Sequence, residues 1–390
     1  MGFRFADLNK RIRSKKDLYI DSLLIPWLIS RGLVLLALFA VRKITTNLAI
    51  DSGRVHLIVS AGLTSWDAGF YSQIAAHGYG SSFNSLLRFF PLYPLLGHLL
   101  SYGISTYGFN SENSARLSLL VLSNVAALFA GLVVYHLGVK ATRNQAIGKR
   151  AVWIYFFAPA SFVTTMAYPE SLFCVFVGLY LLAILNNSLW VAATCGFCAG
   201  LTRPTGILLA FAGLTQCIVL LKTDKEIKSW LAKALIYIGS PIVGTVLYLT
   251  YSLVKYGKFF GPYSIQLASK HRGKFVNPVT NIYDKLIAAF HGHLDGVDHF
   301  VWILLVLILI VFYFRNIPIS WNIYVIITFI VAIVSSNLDG FERYIVDAVP
   351  IVVLAAKAVE SDSVFKPVLV ILTGSMILYF VLSMFALYIP

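Results

Sequence analysis

The sequence predicts an all-α polytopic membrane protein, and three observations carry that prediction. Of the 390 residues, 58% are hydrophobic and only 12% are charged, about half the charge of an ordinary soluble domain. The apolar residues gather into runs close to the roughly 20 residues that a membrane-spanning helix needs. The Lys and Arg residues concentrate in short segments between alternate runs, as expected of loops that stay in the cytoplasm. No soluble core could bury this much apolar surface. The same composition excludes disorder, a coiled coil and a secreted disulfide scaffold.

Taken in order, spans are expected near 22–42, 116–139, 150–167, 170–186, 189–203, 205–221, 234–254, 300–314, 319–336, 344–358 and 367–388, about eleven in all. Residues 1–21 carry Arg4, Lys10, Arg11, Arg13, Lys15 and Lys16, so this basic N-terminus reads as cytoplasmic. A cleavable signal is not expected, because the first strong apolar run begins only near Leu23, after the basic stretch. Counting spans then places Lys140–Arg150, Lys222–Lys233, Arg315 and the Lys357–Lys366 loop on the same side. Together these segments hold more than half of the 31 Lys and Arg residues.

The stretch 88–108 is apolar but broken by Pro91, Pro94 and several Gly and Ser residues. It reads as an interfacial helix within a first outer loop, 43–115, because a crossing there would move every later loop to the other side. The chain is then one integral-membrane domain, 1–390, with another outer loop at 255–298. That loop holds Lys255, Lys258, Lys270, Arg272, Lys274 and Lys285, either a solvated basic surface or a cationic lip for an anionic lipid head group. The net charge of +14 therefore points to a membrane surface rather than to nucleic acid. Cys174, Cys195, Cys198 and Cys217 all lie in apolar runs. The CxxC formed by Cys195 and Cys198 lacks a second ligand pair, so all four read as packing residues.

With this threading, the polar residues that interrupt apolar sequence collect on the outer face. Asp67 follows Trp66 and precedes Tyr71 in Ser65-Trp66-Asp67-Ala68-Gly69-Phe70-Tyr71. It is either a general base at the membrane surface or the N-cap of a helix near 68–77. Glu170 follows Tyr168-Pro169 at a junction of two short spans, and Arg203 opens Arg203-Pro204-Thr205-Gly206 at another. Arg343 and Tyr344 follow Asp339 and Glu342 in the last outer loop. A carboxylate at such a junction is costly unless it is paired or functional. Pairing of Glu170 or Glu342 with Arg203 or Arg343 is the structural alternative. Arg31, inside the first span, is expected to face the bundle and pair there. His291, His293, Asp295, Asp298 and His299 look like metal-ligand material, but their spacing fits no closed zinc pattern. No Walker loop, dinucleotide-binding glycine pattern or serine-esterase elbow occurs.

The order of these motifs resembles the PIG-V family of mannosyltransferases. The resemblance rests on Trp66-Asp67-Ala68-Gly69-Phe70-Tyr71, Ile74-Ala75, Gly78-Tyr79 and Phe89-Phe90-Pro91-Leu92-Tyr93-Pro94-Leu95. Pro159, Tyr168-Pro169-Glu170-Ser171-Leu172-Phe173, Arg203-Pro204-Thr205-Gly206 and Arg343-Tyr344 follow in order. The resemblance covers about residues 27–350, and the chain looks most like the shorter prokaryotic relatives. It implies a GT-C architecture in a prokaryotic plasma membrane, with an active site on the outer face. It also implies a polyprenyl-phosphate sugar donor, with mannose as the expected sugar, and a lipid or glycan acceptor. Asp67 then occupies the position of the catalytic acidic residue. Many GT-C enzymes carry paired acidic residues there, whereas this chain has Trp-Asp only. A lone base and no cofactor are therefore expected, with a divalent metal possible but not required.

Under that resemblance Trp66, Tyr71, Glu170, Arg203, Lys270, Arg272, Arg343 and Tyr344 are the candidate substrate-binding residues. The chemistry is consistent, because a polyprenyl phosphate leaves readily and needs cations rather than a strong general acid. One base plus those cations suffices for an inverting displacement, whereas a glycosidase usually shows two carboxylates. A flippase for lipid-linked saccharides is the competing class. It would favour inverted repeats and charges at the membrane midplane; no internal repeat occurs and, apart from Arg31, the charges inside spans lie at their outer ends. An inactive scaffold is a third reading, weakened by the retained Asp67.

Overall fold

The computed structural model describes residues 20–50, 53–222, 226–268, 273–291 and 294–390. It is helical throughout, and among the described residues the only β pairing is one isolated bridge, Phe275 to Ser335. In chain order the helices are α1 (Ile25–Asn47), α2 (Gly53–Ala61), α3 (Asp67–His77), α4 (Leu92–Ser105), α5 (Ser111–Thr142) and α6 (Gln145–Phe157). Then come α7 (Glu170–Leu185), α8 (Leu189–Thr202), α9 (Leu209–Leu220), α10 (Ile227–Tyr256), α11 (Gly261–Gln266) and α12 (Pro278–Phe290). The last are α13 (Leu294–Tyr313), α14 (Ile319–Ile333), α15 (Phe341–Asp347), α16 (Ile351–Ala358) and α17 (Asp362–Met384).

Among the described residues, five stretches are long and apolar enough to cross a bilayer: Asp21–Asn47, Ser111–Thr142, Ile227–Tyr256, Asp298–Asn316 and Asp362–Met384. Four shorter apolar helical stretches, Glu170–Leu185, Leu189–Thr202, Pro204–Leu220 and Ile319–Ile333, accompany them. The protein is a multi-pass membrane protein of all-α class.

Several expected spans are interrupted, each for a local reason. Residues 150–167 are not one helix. α6 ends at Phe157, because Ala158 before Pro159 is pushed out of the helical region, and a 3-10 turn follows over Pro159–Thr164. Residues 344–358 split into α15 and α16 at Ala348 and Val349, ahead of Pro350. Pro350 has no N–H to continue the ladder. Within 88–108 the helix is α4, 14 residues long, about 21 Å at 1.5 Å per residue and short of a bilayer core.

Close packing replaces length where helices are short. α8 crosses α10 through Gly196, Gly200 and Gly244; a Cβ at Gly200 would collide with the Pro241 carbonyl, and one at Gly244 with the Phe197 carbonyl. Small residues at such crossings allow backbones to approach where no solvent drives them together. Cys195 and Cys198 lie on this packed helix as free thiols, in keeping with a packing role. Arg31 is buried in α1. It donates to Asn124 Oδ1 (3.2 Å), Ser30 Oγ (2.8 Å), and Thr164 O and Oγ1 (3.0 Å each), and packs on Trp27 and Phe156.

Candidate active site

A string of aromatic contacts fixes the segment from α3 to α4 over the helix ends. Tyr71 meets Phe89 at 4.8 Å and Tyr93 at 5.2 Å between ring centroids, and Phe90 meets Tyr248 of α10 at 4.8 Å. The Phe89 carbonyl accepts from Tyr79 Oη (2.7 Å) and Tyr248 Oη (3.2 Å). Helix α3 begins abruptly at Asp67, because Trp66 sits at φ 58°, ψ −132°. That conformation is unfavourable for a residue with a Cβ, by about 1–3 kcal/mol. The indole is held from both sides: Nε1 donates to the Ser383 carbonyl at 3.1 Å, and Arg54 lies 4.8 Å from the ring centroid. The chain is thereby turned so that Asp67 faces a cavity instead of capping its own helix, which has no side-chain cap.

Asp67 Oδ2 accepts from Arg343 Nη1 at 3.0 Å, and Oδ1 from Arg88 Nη2 at 3.4 Å. Behind it, Glu170 Oε1 accepts from Arg203 Nη1 and lies 3.4 Å from Arg343 Nε. Arg203 Nη2 lies 3.2 Å from Asp347 Oδ2. The rings of Tyr168 and Tyr344 face these guanidinium groups at 5.2–5.8 Å. The cavity holds about 260 Å³ and is lined by Asp67, Glu170, four arginines (Arg54, Arg88, Arg203, Arg343), Trp66, Tyr71, Asp339 and Tyr344, among others.

Burial separates the carboxylates. The side chains of Glu170 and Asp347 are fully buried, whereas that of Asp67 retains 23% exposure. Glu170 Oε2 has no hydrogen-bond partner among the described residues, an unmet acceptor beside the cavity. Burial works against the charge on Arg343, but Glu170 and Asp67 outweigh it and hold its pKa well above the usual value. Burial pushes the Tyr71 and Tyr168 phenols up, and the nearby carboxylates add to the rise. Both phenols therefore stay protonated and serve as neutral hydrogen-bonding groups rather than as proton donors; Tyr168 Oη accepts from the Asp67 backbone N–H at 3.3 Å.

A family profile described as mannosyltransferase (PIG-V) matches residues 22–238. The chain belongs to the PIG-V mannosyltransferase family. No curated protein matches. Among solved structures, the apo oligosaccharyltransferase of Archaeoglobus fulgidus is similar over 96% of this chain and 56% of its own, at 13% identity and a TM-score of 0.50. ArnT from Cupriavidus metallidurans, solved bound to undecaprenyl phosphate, is similar over 76% and 56%, at 14% identity and a TM-score of 0.47. The chain thus spans little more than half the length of these structures. At such identities the likeness concerns fold, and the fold is of the GT-C type.

Of the residues proposed from the PIG-V resemblance, Asp67, Trp66, Tyr71, Glu170, Arg203, Arg343 and Tyr344 all line this cavity, though they come from segments up to 278 positions apart. Lys270 and Arg272 lie outside the described residues. The expected pairing of Glu170 with Arg203 and Arg343 is present, but Glu342 turns away and accepts from Tyr388 Oη at 2.9 Å. Three residues of the site were missed. Arg88 heads the stretch 88–108 and was not singled out, although it is the only Lys or Arg between positions 55 and 115. Asp347 stands four residues after Arg343, where a helix would pair the two, yet it serves Arg203. Arg54 carried no signal. The histidine cluster is divided: His291 is exposed, His293 and the Asp295 side chain lie outside the description, and His299 turns inward.

Proposed function

We propose that this member of the PIG-V family transfers a hexose, with mannose the expected sugar, from a polyprenyl-phosphate donor to a hydroxyl of a lipid or glycan acceptor. The reaction takes place at the outer face of a prokaryotic plasma membrane. The observation that carries the reading is the half-open carboxylate of Asp67 on the wall of a cavity that four arginines line. Asp67 takes the proton of the acceptor hydroxyl as its oxygen attacks the anomeric carbon. The bond from that carbon to the phosphate oxygen breaks, and its electron pair leaves with the polyprenyl phosphate. One displacement inverts the anomeric configuration.

Arg343 and Arg88 receive the phosphate in this scheme. Fixed cations of this kind stabilise the charge as it develops, and the planar guanidinium suits two phosphate oxygens at once. Both guanidiniums rest on Asp67 in the structure, so an arriving phosphate competes with the base for them. Glu170 orients Arg343 and Arg203, and its second oxygen is available to a sugar hydroxyl. The test is transfer by purified Asp67→Asn enzyme, in which the side chain keeps its shape and loses its basicity. Near-normal transfer would sink the assignment.

A further inference from the structure

Away from Asp67, a second polar cluster joins three distant parts of the chain. Asp298 and His299 lie at the start of the apolar stretch of α13, and Glu342 lies on α15 next to Arg343. One ligand-type atom from each falls within 4.8 Å of the other two. His299 and Glu342 are more than nine-tenths buried. Each carboxylate is also oriented from behind: Tyr379 Oη donates to Asp298 Oδ1 and itself accepts from Trp302 Nε1 at 2.8 Å, while Tyr388 Oη holds Glu342 Oε2. The two phenol rings pack edge to face at 4.7 Å.

We propose that Asp298, His299 and Glu342 bind one divalent transition-metal ion, zinc or manganese. A buried carboxylate, a half-buried one and a buried imidazole meet here at the end of a membrane span, a donor set whose charge a bound cation would offset. One nitrogen and two oxygen donors suit zinc or manganese better than calcium or magnesium, which favour all-oxygen shells. Ligands bonded to one ion at about 2.1 Å stand roughly 3–4 Å apart, so only slight closure is needed. The tyrosines supply the hydrogen bonds that orient metal-binding carboxylates from behind. The ion would tie α13 to the short helix that carries Arg343, as a brace apart from the Asp67 chemistry.

The full-length protein in detergent, stripped with chelator and dialysed, is titrated with Zn²⁺ and separately with Mn²⁺, by calorimetry and elemental analysis. About one ion per chain is expected, with a rise in melting temperature on loading. Glu342→Gln and His299→Gln should each weaken uptake more than tenfold, and Tyr388→Phe about tenfold through lost orientation of the carboxylate. Asp298→Asn, at the half-buried edge, supplies a milder variant should the buried ones fail to fold. Asp67→Asn should bind the ion as the wild type does, which separates this site from the base. No uptake by the wild type would overturn the proposal. Uptake unaltered in the folded site variants would overturn it as well.

Discussion

Two buried arginine environments answer the same problem differently. Arg31, deep in α1, is surrounded by neutral acceptors from Asn124, Ser30 and Thr164 and by two aromatic rings. Arg203 and Arg343 are held instead by Glu170, Asp347 and Asp67, and the group opens on a cavity. Neutral acceptors satisfy the N–H groups of a cation without adding a counter-charge that an incoming anion could displace, which suits a bolt between helices. Full charges of both signs beside a cavity instead create groups that an arriving anion can rearrange.

The comparison can be broken most decisively at Asp67. Asp67→Asn should lower transfer by about 10²–10⁴-fold, the usual loss on removing a general base, with membrane level and melting temperature nearly unchanged. Next comes Glu170→Gln, which leaves Arg203 and Arg343 with one carboxylate fewer in a dry setting. Breaking such a buried network costs about 3–5 kcal/mol, read as a fall in thermal or denaturant stability. Arg31→Met should cost less, about 1–3 kcal/mol for the acceptors left behind, and activity per folded molecule should be kept. Equal damage to activity from Arg31→Met and Glu170→Gln would erase the distinction.

Arg343→Lys sharpens the comparison further, since it keeps the charge and loses the planar fork. The donor KM should rise roughly tenfold, about 1.4 kcal/mol, with the acceptor KM little changed. If exchanging the charges of Arg343 and Glu170 restored wild-type donor kinetics, Arg343 would be only a structural partner. The smallest effect is expected from chelation. Stripping divalent ions should reduce turnover less than tenfold, because no step of the proposed displacement runs through a metal. Complete loss, rescued by Mn²⁺ or Mg²⁺, would show that Asp67 does not act alone.

Much of the site was legible because membrane sequences expose their exceptions. Glu170, Arg203 and Arg343 interrupt apolar runs at helix breaks marked by Pro or Gly, and a charge in such a place demands a partner or a task. Arg88 and Asp347 escaped for opposite reasons. Arg88 opens an apolar stretch with no acidic neighbour to mark it, and only the fold shows its side chain beside Asp67. Asp347 had a local partner to hand, and tertiary packing overrode the i,i+4 rule. The broken spans at 150–167 and 344–358 could be read from Pro159 and Pro350, yet hydropathy averages over single residues and hides them.

Composition and periodicity by themselves determined the all-α membrane class, because backbone groups in lipid must be satisfied within each segment and only long apolar helices do so locally. Ordered motifs likewise marked the PIG-V resemblance and the candidate residues. Only the tertiary structure decided which charges meet. Asp67 and Arg343 are 276 positions apart, and their contact depends on a strained turn at Trp66, a packed aromatic loop and a short helix at 341–347. No local pattern encodes that distance, since it is fixed by the summed packing of the whole bundle.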